Sequence, residues 1–63
     1  MELGGERMIA YSIEYKIRGK EQEHKILIDA KDAKSAQRKI GKKHGYKDGR
    51  MIQMQRVHVI GYY

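Results

Sequence analysis

Residues 9 to 18 read I-A-Y-S-I-E-Y-K-I-R, an unbroken alternation of large apolar with small or polar side chains. In an extended strand successive side chains point to opposite faces. Ile9, Tyr11, Ile13, Tyr15 and Ile17 therefore share one face, and Ala10, Ser12, Glu14, Lys16 and Arg18 share the other. A helix would scatter the same residues around its circumference. The stretch has to be a strand with one buried face, so the rest of the chain must supply partner strands and a cover.

Gly19-Lys20-Glu21 reads as a turn in which the glycine supplies a positive φ. Glu23 to Ala30 then alternates again, with His24, Ile26, Ile28 and Ala30 inward and Lys25, Leu27 and Asp29 outward. These two strands form a hairpin. The next stretch, from Ala30 to Gly45, changes period to that of a helix. Asp32 suits the N-cap, because its carboxylate can accept from an unpaired N–H of the first turn. Gly45 suits the left-handed residue past the last turn, where Lys42, Lys43 and His44 meet the negative end of the helix dipole. On the helical wheel Ala33, Ala36, Gln37, Ile40 and His44 form a thin apolar face; Lys34, Ser35, Arg38, Lys39 and Lys42 lie opposite. Gly41 falls between them, where it either admits a close approach by a backbone or ligand, or simply weakens the helix. Tyr46-Lys47-Asp48-Gly49-Arg50 is a turn, and Met51 to Ile60 is a third strand. Its parity slips, since Ile52 and Met54 disagree with Val57 and Val59. A β-bulge near Gln55-Arg56 restores one inward face, whereas burial on both sides would need more covering elements than the chain has.

The expected fold is α+β, with element order ββαβ. A three-stranded sheet in order 2-1-3, a split βαβ arrangement, carries one helix on one face, because strand 1 has the richest inward face and gains most from the centre. Ile9, Tyr11, Ile13, Tyr15, Ile17, Ile26, Ile28, Ala33, Ala36 and Ile40 form the expected core. With 63 residues there is one core, which buries only about 60% of the unfolded surface. Stability should be modest, and self-association or a partner would add to it.

Residues 1–8 are expected to be a disordered leader, and residues 9–63 the domain. Gly4-Gly5-Glu6 can be encoded as GGA-GGT-GAA, a bacterial ribosome-binding sequence one codon before Met8. Translation from Met8 in a bacterium or phage is the resulting expectation. Mass spectrometry of the protein made from its native locus checks it, and a dominant species starting at Met1 would contradict it.

There is no cysteine, hence no disulfide framework or thiolate metal site. The N-terminal stretch lacks a signal-peptide hydrophobic segment and no apolar run is long enough to span a bilayer, so a cytoplasmic location is expected. Ser12 and Ser35 are the only serines, and the acidic residues form no pair placed for acid–base work, so no enzyme is expected. His24, His44 and His58 show no metal-ligand spacing, and neither a metal nor another cofactor nor a small-molecule substrate is expected. His24 and His44 could still meet at the edge between helix and sheet.

The remaining signal is charge. Lys and Arg number 14 against 8 Asp and Glu, a net +6. Lys34, Arg38, Lys39 and Lys42 make a stripe on the helix, continued by Lys43, Lys47 and Arg50, which could neutralise nucleic-acid phosphates. With Tyr11 and Tyr15 turned to the helix, the open sheet face offers no tyrosine for base stacking. Tyr46, Tyr62 and Tyr63 are better placed for contacts. From about Ile13 to Ile60 the chain is loosely similar to the small archaeal ribosomal protein LX. The similarity lies in the Gly-Lys turn, the helix ending Lys39-Ile40-Gly41-Lys42-Lys43-His44, and the strand Met51-Ile52-Gln53-Met54. It is a similarity of topology, and it is compatible with RNA binding. The sequence thus points to a non-enzymatic module contacting RNA or DNA. The alternative is a protein-binding adaptor or inhibitor that acts through a sheet edge or as a homodimer.

Overall fold

A computed structural model describes residues 7–62. Residues 1–6, and with them most of the expected leader, lie outside the described residues, as does Tyr63; Arg7 and Met8 precede the first strand without regular structure. The elements are β1 (Ile9–Ile17), β2 (Glu23–Ala30), α1 (Ala33–Lys43) and β3 (Ile52–Tyr62). The sheet order is β2-β1-β3, with β1 antiparallel to both neighbours. The α+β, split ββαβ arrangement is the one expected. None of the helices among the described residues is long and apolar enough to cross a membrane.

The alternation in β1 becomes burial. Tyr11, Ile13, Tyr15 and Ile17 are buried, while Ser12, Glu14 and Lys16 between them are only half-buried. Gly19 turns the hairpin at φ +84°, a conformation that a Cβ disfavours. Ile26 and Ile28 of β2 pair with Ile13 and Tyr11, and pack on the core from its border.

In β3 the parity slip is resolved by a bulge. Tyr15 pairs with Met54 and Glu14 with Arg56, so Gln55 is the extra residue. A second irregularity was not apparent in the sequence: Tyr11 pairs with Val59 and Ala10 with Gly61, leaving Ile60 over. It lets the strand continue two residues past Ile60, so that Tyr62 lies opposite Ile9. Two bulges place Ile52, Met54, Val57, Val59 and Tyr62 opposite the inward residues of β1.

Asp32 caps α1 as expected, its carboxylate accepting from the Ser35 N–H at 2.7 Å. That backbone bond, and then the Ser35 hydroxyl, hold the Asp32 carboxyl below its ordinary pKa. At the other end Gly45 has φ +91°. The Tyr46 N–H reaches back to the Gly41 carbonyl at 2.9 Å, and the Gly45 N–H to the Lys42 carbonyl at 3.0 Å. This reciprocal pair is the glycine-terminated helix stop, and it directs Tyr46 onto the core.

Several core assignments change. Ala33 is exposed, while Ala30, inward by its parity, and Ile52 are fully or almost fully buried and belong to the core. Ile9, Ile26 and Ile28 sit at the core border rather than within it. Gly41, which the sequence left between the two helix faces, is buried, and its neighbour is backbone. A Cβ there would overlap the Asp48 carbonyl oxygen.

Replacing Gly41 separates two effects of opposite sign. Helix propensity alone favours Gly41→Ala by about 1 kcal/mol, whereas displacing the 48–49 backbone costs about 1–3 kcal/mol and removes the contacts beneath it. The expected outcome of urea unfolding is a lower midpoint for Gly41→Ala. A raised midpoint would contradict this packing.

Candidate functional site

The residues proposed from sequence lie on α1 and on the connection from α1 to β3, and a tight backbone contact holds these two segments together. Asp48 sits over Gly41, and Gly49 sits over Gln37. A Cβ at Gly49 would fall 2.7 Å from Gln37 Cγ and 2.9 Å from the Gln37 backbone, closer than real Cβ contacts allow. Gln37 then fastens the contact with its amide, donating to the Gly49 carbonyl at 2.8 Å and to the Ile52 carbonyl at 2.9 Å. Both carbonyls precede or begin β3, so one side chain ties helix, connection and strand. The connection is also braced from within, since Asp48 Oδ1 accepts from the Arg50 N–H at 3.0 Å, an Asx-type turn.

Beside this contact runs a groove lined by Lys34, Gln37, Arg38, Asp48, Gly49 and Arg50. Three of the seven proposed cations, Lys34, Arg38 and Arg50, therefore converge on one concave surface. Lys42 follows Arg38 by four residues, one turn further along the same side of the helix. Lys43 and Lys47 are exposed beyond it. Lys39 behaves differently: its ammonium donates to the Asp29 carbonyl at 2.7 Å, on the side facing β2. The single stripe of the sequence is thus two, one along the groove and one toward the hairpin. Asp48 offsets part of the groove's charge, with its Oδ2 3.5 Å from Arg50 Nε in an exposed pair. Such a pair is weak and readily exchanged for a stronger anion.

A second cluster lies at the carboxyl end of α1. The Tyr15 hydroxyl and His44 Nε2 are 2.7 Å apart. The Tyr15 ring stacks on His24 at 4.9 Å, and His24 meets His44 edge-on at 5.2 Å. The meeting of His24 and His44 at the edge between helix and sheet follows the sequence expectation. Burial raises the Tyr15 pKa. No group of three or more His, Cys, Asp or Glu suited to a metal ion occurs among the described residues. The cluster seats the helix end on β1 and β2.

Tyr11 and Tyr15 are buried under the helix, so neither is a stacking platform on the open face. Tyr46 packs against the core and Tyr62 is exposed, while Tyr63 lies outside the described residues. Sequence reasoning placed Gln37 on the apolar face without giving it a task; its position beside two glycine-dependent contacts was the part no periodicity reveals.

No family model, curated protein or solved structure gives a significant match to this chain. The similarity to ribosomal protein LX accordingly rests on element order and on the short segments quoted for it.

Gln37→Ala removes both hydrogen bonds to the connection. The expected cost is about 2 kcal/mol at roughly 1 kcal/mol per bond, read from chemical denaturation. Amide exchange at residues 47–51 should accelerate more than exchange in β1. Uniform acceleration across the sheet would contradict the local role assigned to Gln37.

Proposed function

We propose that the chain is a small, non-enzymatic cytoplasmic binding module that contacts RNA or DNA phosphates along α1 and the 47–50 connection. The observation that carries this reading is the convergence of Lys34, Arg38 and Arg50 on one groove. Two guanidinium groups offer planar forks that match phosphate oxygens, and Lys34 adds a mobile point charge. Because the Gly41, Gly49 and Gln37 contacts pin the groove wall, little conformational entropy is lost when a phosphate enters. Lys42, Lys43 and Lys47 extend the positive surface to neighbouring phosphates. The net charge of +6 supports the same reading through long-range steering. Base stacking has no part in it, since the tyrosines of β1 are covered.

The joint charge reversal Lys34→Glu, Arg38→Glu and Lys42→Glu tests the assignment. All three side chains are exposed, so the fold should survive, as circular dichroism would verify. Affinity for mixed RNA and DNA fragments is expected to fall more than about tenfold, given the loss of several phosphate contacts. Lys20→Glu, in the hairpin turn at the sheet's edge, should bind nearly as the parent does. Unchanged affinity in the triple variant would reject the proposed surface.

The exposed apolar residues of β3 favour a second reading, a protein-binding adaptor or inhibitor that works by strand addition. That reading predicts dependence on substitutions in the edge strand, and little dependence on salt.

A further inference from the structure

The sheet has two edges, and they differ in chemistry. β2 carries Glu23, Lys25 and Asp29, all exposed, and charged side chains of this kind discourage edge-to-edge pairing. β3 is an 11-residue edge strand, about 36 Å long at roughly 3.3 Å per residue. Between Ile52 and Tyr62 its single Lys, Arg, Asp or Glu is Arg56. From residue 57 onward it shows Val57, Val59, Ile60 and Tyr62, between 40% and 69% exposed. Val57 and Val59 lie opposite Ile13 and Tyr11, which are 0% and 5% exposed. The core thus reaches the inward face of β3 and stops there uncovered.

We propose that this edge pairs with β3 of a second copy, antiparallel about a two-fold axis, to form a continuous six-stranded sheet. In antiparallel strands, residues directly opposite share a face. A register centred on His58 sets Val57 of each copy opposite Val59 of the other, so the four valines meet on the side that carries the helices. The same register separates the two Arg56 side chains, each of which faces the Ile60 bulge of the other copy, and residues 56–59 between the bulges at Gln55 and Ile60 form its regular stretch. A contact of this kind is self-complementary, as a two-fold interface requires. Charge selects the same location: on a chain of net +6, repulsion between copies is smallest where the cations are fewest. An axis normal to the sheet leaves both helices on one side. The interface involves none of the seven cations of the phosphate-binding proposal, and it stands or falls separately from it.

The test is light scattering coupled to size exclusion on the nuclease-treated full chain from 5 to 500 µM, at two salt concentrations. The expected mass approaches twice the single-chain 7.4 kDa as concentration rises. Higher salt should strengthen association, because it screens repulsion between cationic copies, the opposite of its effect on phosphate binding. Val57→Lys with Val59→Lys should weaken self-association at least tenfold, while Leu27→Lys on the open face should leave it unchanged. Amide exchange gives a reading on the unaltered chain, with residues 56–60 slowing as concentration increases. A single-chain mass at 500 µM in high salt would overturn the proposal, whether the edge is then left open or taken by another protein. Dimerisation that survives the double lysine variant, or leaves exchange at 56–60 unchanged, would overturn it as well.

Discussion

The connection between α1 and β3 rests on backbone atoms meeting side-chain-free backbone, and much of the structure depends on that contact. Gly41 receives the Asp48 carbonyl, and Gly49 lies against Gln37, whose amide bonds to the carbonyls of Gly49 and Ile52. The arrangement brings β3 onto β1 in the register that buries Ile52 against Ile17. It also decides where the cations go. Arg50 belongs to the connection and Lys34 and Arg38 to the helix; only the close seating of one on the other makes them neighbours across a groove. A glycine that appears costly by helix propensity is compensated by tertiary contact, the usual way in which packing overrides a local preference.

The thinness of the structure explains the rest of its surface. An 11-residue helix spans about 16 Å at 1.5 Å per residue, roughly half the length of β3. The helix packs on β2 and on the beginning of β3 across the inward face of β1, and leaves the far half of β3 bare. Burial is therefore nearly complete along the central strand and falls off at both edges. At the hairpin edge the falling burial is met by charged residues, with Leu27 alone among the large apolar side chains exposed there. At the β3 edge it is met by valines, an isoleucine and a tyrosine. A 63-residue chain has little core to spare, so exposing these groups is a notable concession unless another surface meets them.

Much of this was legible in the chain before any coordinates. The alternation from Ile9 to Arg18, the caps at Asp32 and Gly45, and the parity slip near Gln55 each have a local cause, and each appears where expected. The bulge at Ile60 was hidden because a glycine and two tyrosines follow it, too few residues to establish a new period. Ala30 is buried as its inward parity required, whereas Ala33, on the apolar side of the wheel, is exposed, because burial in the first turn depends on tertiary placement and not on period. For the candidate site, the residue types and their helical face could be read, but the convergence of Arg50 with Lys34 and Arg38 could not. It arises from a contact between residues 37–41 and 48–49, set by two glycines whose meaning is only tertiary. The division of the lysines, with Lys39 drawn to the Asp29 carbonyl, was invisible for the same reason.

The function proposed for this groove and its flanking lysines is to receive phosphates. Its most direct test is the mobility of mixed RNA and DNA fragments with the purified protein across a salt series. A shift is expected at low salt and should persist near physiological salt. The logarithm of affinity should fall linearly with the logarithm of salt concentration, with a slope of at least about three in magnitude on duplex DNA, since the three groove cations set the minimum and the flanking lysines add to it. Absence of a shift even at low salt would contradict it and leave the cationic helix face as a solvating surface.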